Sequence, residues 1–495
     1  MRVCFVIEGC YPYVVGGVSS WIDGMIKAFP DIEYVLLCVV ASRKMRGKFV
    51  YDLPCNVSEV YEVYLEDVDW EPETRKHKAQ RLSHREFMGL RSLVLNLECD
   101  WDAVFDLFQH RNISVNDLLM GEDFLKVVQE LYDRNYPEIV FSDFLWTMRS
   151  IYLPLFLVLK SQVPAADIYH CVATGYSGVL GAMAQHIHGG GLIVSEHGIY
   201  TREREEELIK ATWVQSTYKS IWIEQFRRMS QLAYDRADVV TSLYDHAREL
   251  QLELGAPEEK LQVTPNGINV HRLADIPGKL PEDEGWINAG AVIRVAPIKD
   301  VKTMLQAFAE AKRREPRLKL WVMGPTEEES EYAQECFQLV EMLNIPDVVF
   351  TGRVDIRDYL GRMDFMLLTS ISEGQPLTIL EGFAAKKPVI ATDVGNCRGL
   401  IYGEEGDTFG EAGILTHIMN VEEIAAAIVE LARFPEKTRA MGEAGYQRVW
   451  SKYKTEDMQA VYREIYRRVA NLHGIRWTEG EIVDLLPEEQ PAERG

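Results

Sequence analysis

The sequence predicts an α/β protein built from two doubly wound, Rossmann-like domains with parallel sheets. Three observations carry this. Short apolar runs rich in β-branched residues alternate with longer helix-periodic segments, the pattern of parallel strands covered by helices on both faces. The alternation runs once and then restarts with a second buried-type strand near residue 287. Between the two series lies Ala274–Gly285 (ADIPGKLPEDEG), rich in Pro, Gly and acid, which reads as a linker.

In chain order, Val3–Ile7 reads as a strand, followed by a Gly-rich turn and a helix starting near Val18. Tyr34–Val40 is a second strand. Residues 42–136 break the rhythm: the stretch is charged, with helical periodicity around Leu82–Leu97 and Asp117–Tyr132, and reads as an insertion. Strands are expected at Ile139–Phe141, Ile168–Val172, Leu192–Val194 and Val239–Thr241. The second series comprises Ile287–Ile293, Leu318–Met323, Val348–Phe350, Phe365–Leu368 and Pro388–Ala391, with helices such as Val301–Arg314 and Glu327–Leu343 between them. The expected domains are therefore 1–280, carrying the insertion 42–136, and 281–454. A helix over 455–473 follows, then an acidic Pro/Glu-rich tail, 477–495, whose composition predicts disorder.

The length of 495 residues allows two or three domains, and 47% hydrophobic with 26% charged residues is ordinary for globular chains. The net charge of −23 argues against nucleic acid or a polybasic membrane footprint as partner. Phosphate ligands remain open, because a few local donors hold them. Eight scattered cysteines with no CxxC pair indicate neither a zinc cluster nor a redox dithiol, and fit a reduced, cytoplasmic setting. The apolar run after Arg2 is too short for a signal-peptide core. Ile151–Leu159, containing Pro154, and the stretch 168–195 fall short of the roughly 20 apolar residues of a membrane span and read as buried core.

Four clusters carry chemistry. Tyr11-Pro-Tyr-Val-Val-Gly-Gly-Val places Gly16 and Gly17 before a helix, where free N–H groups suit a phosphate or sugar; it is not a GxGxxG fingerprint. Gly290-Ala-Val-Ile-Arg-Val-Ala-Pro-Ile-Lys places Arg294 and Lys299 beyond a strand's carboxyl end, where open α/β sheets bind ligands, and two cations there suit a diphosphate. Ser370-Ile-Ser-Glu-Gly-Gln-Pro-Leu-Thr-Ile-Leu-Glu places Glu373 before a helix and Glu381 within it. Pro376 is expected in the first helical turn, with Leu377 and Thr378 presenting free N–H groups. Ser195-Glu-His-Gly-Ile-Tyr places His197 at another strand end, where an imidazole can hydrogen-bond a ligand or act as acid or base. Three weaker signals read blandly: Asp67-Val-Asp69 as part of an acidic patch, Pro265-Asn-Gly-Ile as a turn, and Arg202–Glu207 as a solvated helix start.

Together these residues resemble the retaining glycosyltransferases of family 4, which have the GT-B architecture of two facing Rossmann-like domains with a deep interdomain cleft. The carriers are Gly16-Gly17, Pro265-Asn266-Gly267, Arg294 with Lys299, and Glu373 with Glu381 in the family's E-x7-E spacing. The start IEGCYPYVVGGVSSW, the insertion and SEHGIYTRERE resemble, more narrowly, the PelF-like members of Pel exopolysaccharide systems. The resemblance implies a UDP-sugar donor, UDP-glucose first, a polysaccharide acceptor and no metal or other cofactor. It implies a cytoplasmic hexosyltransferase of biofilm polysaccharide synthesis, peripheral to the inner membrane through the membrane subunits of a Pel-type synthase. It further implies that Arg294 and Lys299 hold the diphosphate, Glu381 the ribose hydroxyls and Glu373 the transferred sugar. Gly374, Gln375, Leu377 and Thr378 complete the donor turn, the backbone at Gly352 and Arg353 meets the base, and His197 contacts the sugar from the other side of the cleft. The helix Thr455–Leu472 is implied to cross back to the first domain. One departure stands out: Glu373-Gly-Gln375-Pro replaces the family's Glu-Gly-Phe-Gly or Glu-Gly-Leu-Gly, which implies a different sugar preference.

Two other functions use the same features. A UDP-N-acetylglucosamine 2-epimerase-like isomerase binds UDP-sugars across two such domains. A non-catalytic UDP-sugar-binding subunit of a membrane synthase would use the insertion for docking, but the presence of Arg294, Lys299, Glu373 and Glu381 counts against it.

Overall fold

The computed structural model describes residues 1–66, 81–111, 113–212, 214–478 and 480, and these form thirteen strands in two parallel sheets. The first sheet holds β1 (Arg2–Glu8), β2 (Glu33–Val40), β3 (Val57–Tyr64), β4 (Ile168–Cys171), β5 (Gly191–Ser195), β6 (Val239–Ser242) and β7 (Leu261–Val263), in the spatial order β3-β2-β1-β4-β5-β6-β7. The second holds β8 (Ile287–Val292), β9 (Leu318–Met323), β10 (Val348–Gly352), β11 (Phe365–Leu368), β12 (Val389–Thr392) and β13 (Gly413–Thr416), in the order β10-β9-β8-β11-β12-β13. Both are doubly wound α/β sheets. Their order reverses between β1 and β4 and between β8 and β11, which makes those carboxyl ends the topological switch points where such sheets bind ligands.

The strand sequences explain the burial. Val3 to Ile7 and Phe365 to Leu368 are buried throughout, because helices cover both faces of a parallel sheet. The helix Val301–Arg314 buries Val301, Met304, Leu305 and Phe308 at helical spacing, and Asp300 caps its start.

The chain packs into two compact units: Met1–Val263 with the stretch from Tyr462 onward, and Thr264–Val461. The division falls ahead of Ala274–Gly285. Val270 and Leu273 already belong to the second core, and the buried Asp283 accepts from the Arg362 guanidinium at 2.8 and 3.0 Å. A Pro/Gly-rich composition here marks a strapped surface segment of the second unit. The helix Thr455–Leu472 is divided between the units, and its later residues bind within the first: Tyr466 meets His170 Nδ1 at 2.8 Å, and Tyr462 meets Thr241 Oγ1 at 3.1 Å.

Two expectations are corrected. Ile139–Phe141 is not a strand, because Phe141 opens the helix Phe141–Lys160, which buries Phe144, Met148, Ile151, Leu155 and Leu159 at helical spacing and contains Pro154. The segment 42–136 is not wholly an insertion, since β3 lies within it and pairs with β2. Its helices include His84–Val94 and Glu122–Asn135. The acidic stretch with Asp67 and Asp69, and the tail other than residues 477, 478 and 480, lie outside the described residues. Among the described residues no helix is long and apolar enough to cross a membrane.

Candidate active site

At the second switch point, the loops leaving β8 and β11 are stitched together by backbone. The Thr369 hydroxyl donates to the carbonyls of Lys299 at 3.0 Å and Asp300 at 3.1 Å, and the Ile371 N–H donates to the Ile298 carbonyl at 2.9 Å. These bonds bring the Lys299 ammonium directly onto the Glu373 carboxylate, which also accepts from the Ser370 hydroxyl at 2.6 Å. Both partners are largely enclosed, at 19% and 12% exposure. Removing either one would leave an uncompensated charge in a poorly hydrated place.

The turn after Glu373 is held from two sides. The Gly374 carbonyl accepts from the Asn396 N–H at 2.8 Å. This approach requires Gly395, which has φ +52, because a Cβ there would overlap the carbonyl oxygens of Glu373 and Gly374. From the other side, Gln375 Oε1 accepts the Asn266 N–H at 2.7 Å. The Pro265-Asn-Gly turn is therefore part of the support for this loop. Pro376 is the N-cap of the helix Leu377–Ala384 rather than a first-turn residue, and no side chain caps that end, so Leu377 and Thr378 lie at a helix start with free N–H groups. Glu381 lies further along the same helix, against the short helix Val270–Ala274. Burial pushes its carboxyl up, the Arg272 charge offsets part of the rise, and the balance leaves it at about 7.

Arg294 does not join the Lys299–Glu373 pair. It is exposed after β8, and its guanidinium meets Glu328 at 3.1 Å. Gly352, at φ +68, ends β10, and the Arg353 side chain reaches the same Glu328 at 3.9 Å. The structure thus places Arg294, Lys299, Glu373, Gly374, Gln375 and Arg353 in the segments after β8, β10 and β11, Gly352 at the end of β10, and Leu377, Thr378 and Glu381 on the helix that follows β11; Lys299 pairs with Glu373, while Arg294 and Arg353 face Glu328.

In the first unit, exposed Gly16 caps the helix Gly17–Ala28, whose first turn has no side-chain cap. That helix carries Trp21, whose ring packs edge-on against His197 with centroids 4.5 Å apart. Burial pushes the His197 imidazole down to about 4, so it is neutral near pH 7, and its Nε2 has no hydrogen-bond partner. The acid beside it, Glu196, is fully engaged: it accepts from Thr174 and Tyr200 N–H on one oxygen, and from Tyr234 at 2.6 Å and Gln251 at 2.9 Å on the other. Glu196 therefore builds the loop that presents His197. Sequence reasoning missed Glu196 and Glu328 as parts of these arrangements, and named Asn266 only within its turn motif, without its bond to Gln375. The available signal was position alone, since Glu328 follows the Gly324-Pro turn at the carboxyl end of β9.

Residues 1–259 match the family described as "Domain of unknown function (DUF3492)". The chain belongs to that family. Residues 287–433, within the second unit, match "Glycosyl transferases group 1". Curated relatives include the N-acetyl-alpha-D-glucosaminyl L-malate synthase of Bacillus anthracis, 29% identical over 47% of this chain and 60% of that protein. The alpha-monoglucosyldiacylglycerol synthase of Streptococcus pneumoniae is 30% identical over 33% of this chain and 40% of its own length. The chain spans about half the length of the curated relatives it matches. Among solved structures, Anabaena Alr3699/HepE in complex with UDP-glucose superposes with TM-score 0.59 at 16% identity, covering 94% of this chain and all of that one. Sucrose-phosphate synthase from Thermosynechococcus elongatus gives 0.60 at 14% identity, covering 95% and 99%. The fold is the two-domain GT-B fold of glycosyltransferases.

Proposed function

We propose that the chain is a retaining glycosyltransferase of family 4, moving a hexosyl group from a UDP-sugar, UDP-glucose first, to a growing Pel-type exopolysaccharide. The observation that carries this reading is the Lys299–Glu373–Ser370 cluster at the β8/β11 switch point, with Arg294 presented from the same loop as Lys299. The group 1 match over the second unit supports the reaction class, and the complex of Alr3699/HepE with UDP-glucose supports the donor class.

In this reaction the bond from the anomeric carbon to the diphosphate oxygen breaks. The acceptor hydroxyl oxygen bonds to the anomeric carbon on the same face, and its proton passes to the departing diphosphate. Arg294 and Lys299 stabilise the charge that develops on that leaving group, so no metal takes part. The free N–H groups at Leu377 and Thr378 add to the same field. Glu373 fixes the Lys299 ammonium and accepts from a hydroxyl of the transferred sugar. Glu381 accepts from the ribose hydroxyls, and Gly352 with Arg353 meets the base. Gly16, Gly17 and His197 of the first unit are the candidates for sugar or acceptor contacts, with the neutral imidazole as a hydrogen-bonding group. The enzyme works in the cytoplasm and reaches its acceptor through the membrane subunits of a Pel-type synthase.

The test is NMR of the products formed from UDP-glucose and other UDP-sugars with a polysaccharide acceptor. The reading expects a new α-linked glycoside and free UDP. A C2-epimerised UDP-sugar formed without acceptor would replace it with the isomerase reading.

A further inference from the structure

In the second unit, three neighbouring strands, β10, β9 and β8, deliver three loops to one edge, and backbone bonds stitch those loops together. The Ile293 N–H donates to the Met323 carbonyl at 2.9 Å, the Val295 N–H to the Pro325 carbonyl at 3.0 Å, and the Gly324 N–H to the Gly352 carbonyl at 2.9 Å. Gly324, at φ +145, permits the approach, since a Cβ there would overlap the Ile293 carbonyl oxygen. The middle loop carries Glu328, and its position is set by these bonds. One carboxylate oxygen meets Arg294 of the β8 loop at 3.1 Å, and the other faces Arg353 of the β10 loop at 3.9 Å. All three side chains are solvent-accessible, at 49%, 34% and 57%. Its neighbour Glu327 accepts the Thr326 N–H at 2.8 Å within its own loop, and the Arg353 charge adds only the smallest of the effects that lower its carboxyl.

We infer that Glu328 is a built-in competitor for the donor's phosphates, a carboxylate held between two guanidinium groups that must release it before an anionic ligand engages Arg294. This rests on the donor-binding reading above. Arg binds carboxylate and phosphate through the same kind of donors, so a phosphate that takes the Nη1 edge of Arg294 has to displace Glu328. With Glu328 engaged, one of the two positive charges is offset. Displacing Glu328 costs every anion that takes its place the same free energy, so a nucleoside diphosphate binds more weakly than it would at a free Arg294. Glu328 thereby sets donor affinity without touching the reacting atoms.

The experiment is calorimetry of UDP binding to the full chain in its wild-type, Glu328→Gln and Glu327→Gln forms at fixed ionic strength. The inference expects the Kd for UDP to fall about two- to fivefold in E328Q, the scale of one exposed ion pair, and to change distinctly less in E327Q, whose hydrogen bond stays within its own loop. In an Arg294→Ala background the E328Q gain should shrink. An unchanged or weaker UDP affinity in E328Q, or an equal gain in E327Q, overturns the inference while leaving the donor reading intact. Failure of the wild-type protein to bind UDP overturns the donor reading itself.

Discussion

Glu381→Gln should make the protein more stable, and the gain should grow with pH. Burial raises the Glu381 carboxyl from 4.5 to about 7, against the partial relief that Arg272 supplies. Because the folded value lies above the unfolded one, the native state holds a proton over that interval and the unfolded chain does not. Stability is therefore lost as pH rises from about 4.5 to 7, and the loss levels off above the folded value. At roughly 1 to 1.5 kcal/mol per pKa unit, the raised carboxyl costs about 1 kcal/mol of stability at pH 5.5, where only the unfolded chain ionises, and about 3 kcal/mol at pH 8, where both states are ionised. Glutamine keeps the shape and cannot ionise. The advantage of E381Q over wild type should thus increase by about 2 kcal/mol between pH 5.5 and pH 8. Urea unfolding of both proteins at the two pH values reads this directly. The same variant should bind UDP more weakly, since an amide replaces the carboxylate proposed for the ribose hydroxyls. A pH-independent difference, or an E381Q protein less stable than wild type at pH 8, would refute the burial argument.

Two further outcomes follow from the same loops. Lys299→Ala should lower kcat by about 10²- to 10³-fold, the scale of losing one charge-stabilising donor, and leave Glu373 enclosed without its counter-ion; steady-state kinetics that keep kcat within twofold of wild type would remove Lys299 from the chemistry. Gln375→Ala should cost about 1–3 kcal/mol, because the buried Asn266 N–H loses its acceptor, and should lower activity by loosening the Gly374 turn; a Tm and kcat both equal to wild type would show that the contact contributes nothing.

The parts of the fold that were legible in the sequence are those where one physical requirement dominates. Leu318–Met323 and Phe365–Leu368 match their expected bounds because strands buried on both faces are apolar runs, and Val301–Arg314 and Thr455–Leu472 match because long helices repeat their apolar positions many times. β3 escaped because it is an edge strand whose exposed positions carry Ser58 and Glu59 and whose half-buried Glu62 is held by Tyr13 and Tyr64, so Val57–Tyr64 looked like part of a charged insertion. Ile139–Phe141 misled because three apolar residues fit either period, and only the following helix decides between them.

The candidate site divides the same way. That Arg294, Lys299 and Glu373 lie beyond strand ends followed from local pattern. That Lys299 pairs with Glu373 while Arg294 pairs with Glu328 depends on β8 lying between β9 and β11, a long-range fact with no local signature. The support from Asn266 to Gln375 spans more than a hundred residues of chain, and a turn motif alone cannot announce its partner.

The central claim is that the second unit binds a UDP-sugar through Arg294 and Lys299. Calorimetry of UDP with wild type, Arg294→Ala and Lys299→Ala tests it most directly. The account predicts saturable binding by the wild-type protein, weakened at least tenfold in each variant by loss of a charge-assisted contact to the diphosphate. Wild-type protein that binds no UDP, or variants that bind it as tightly as wild type, would contradict it.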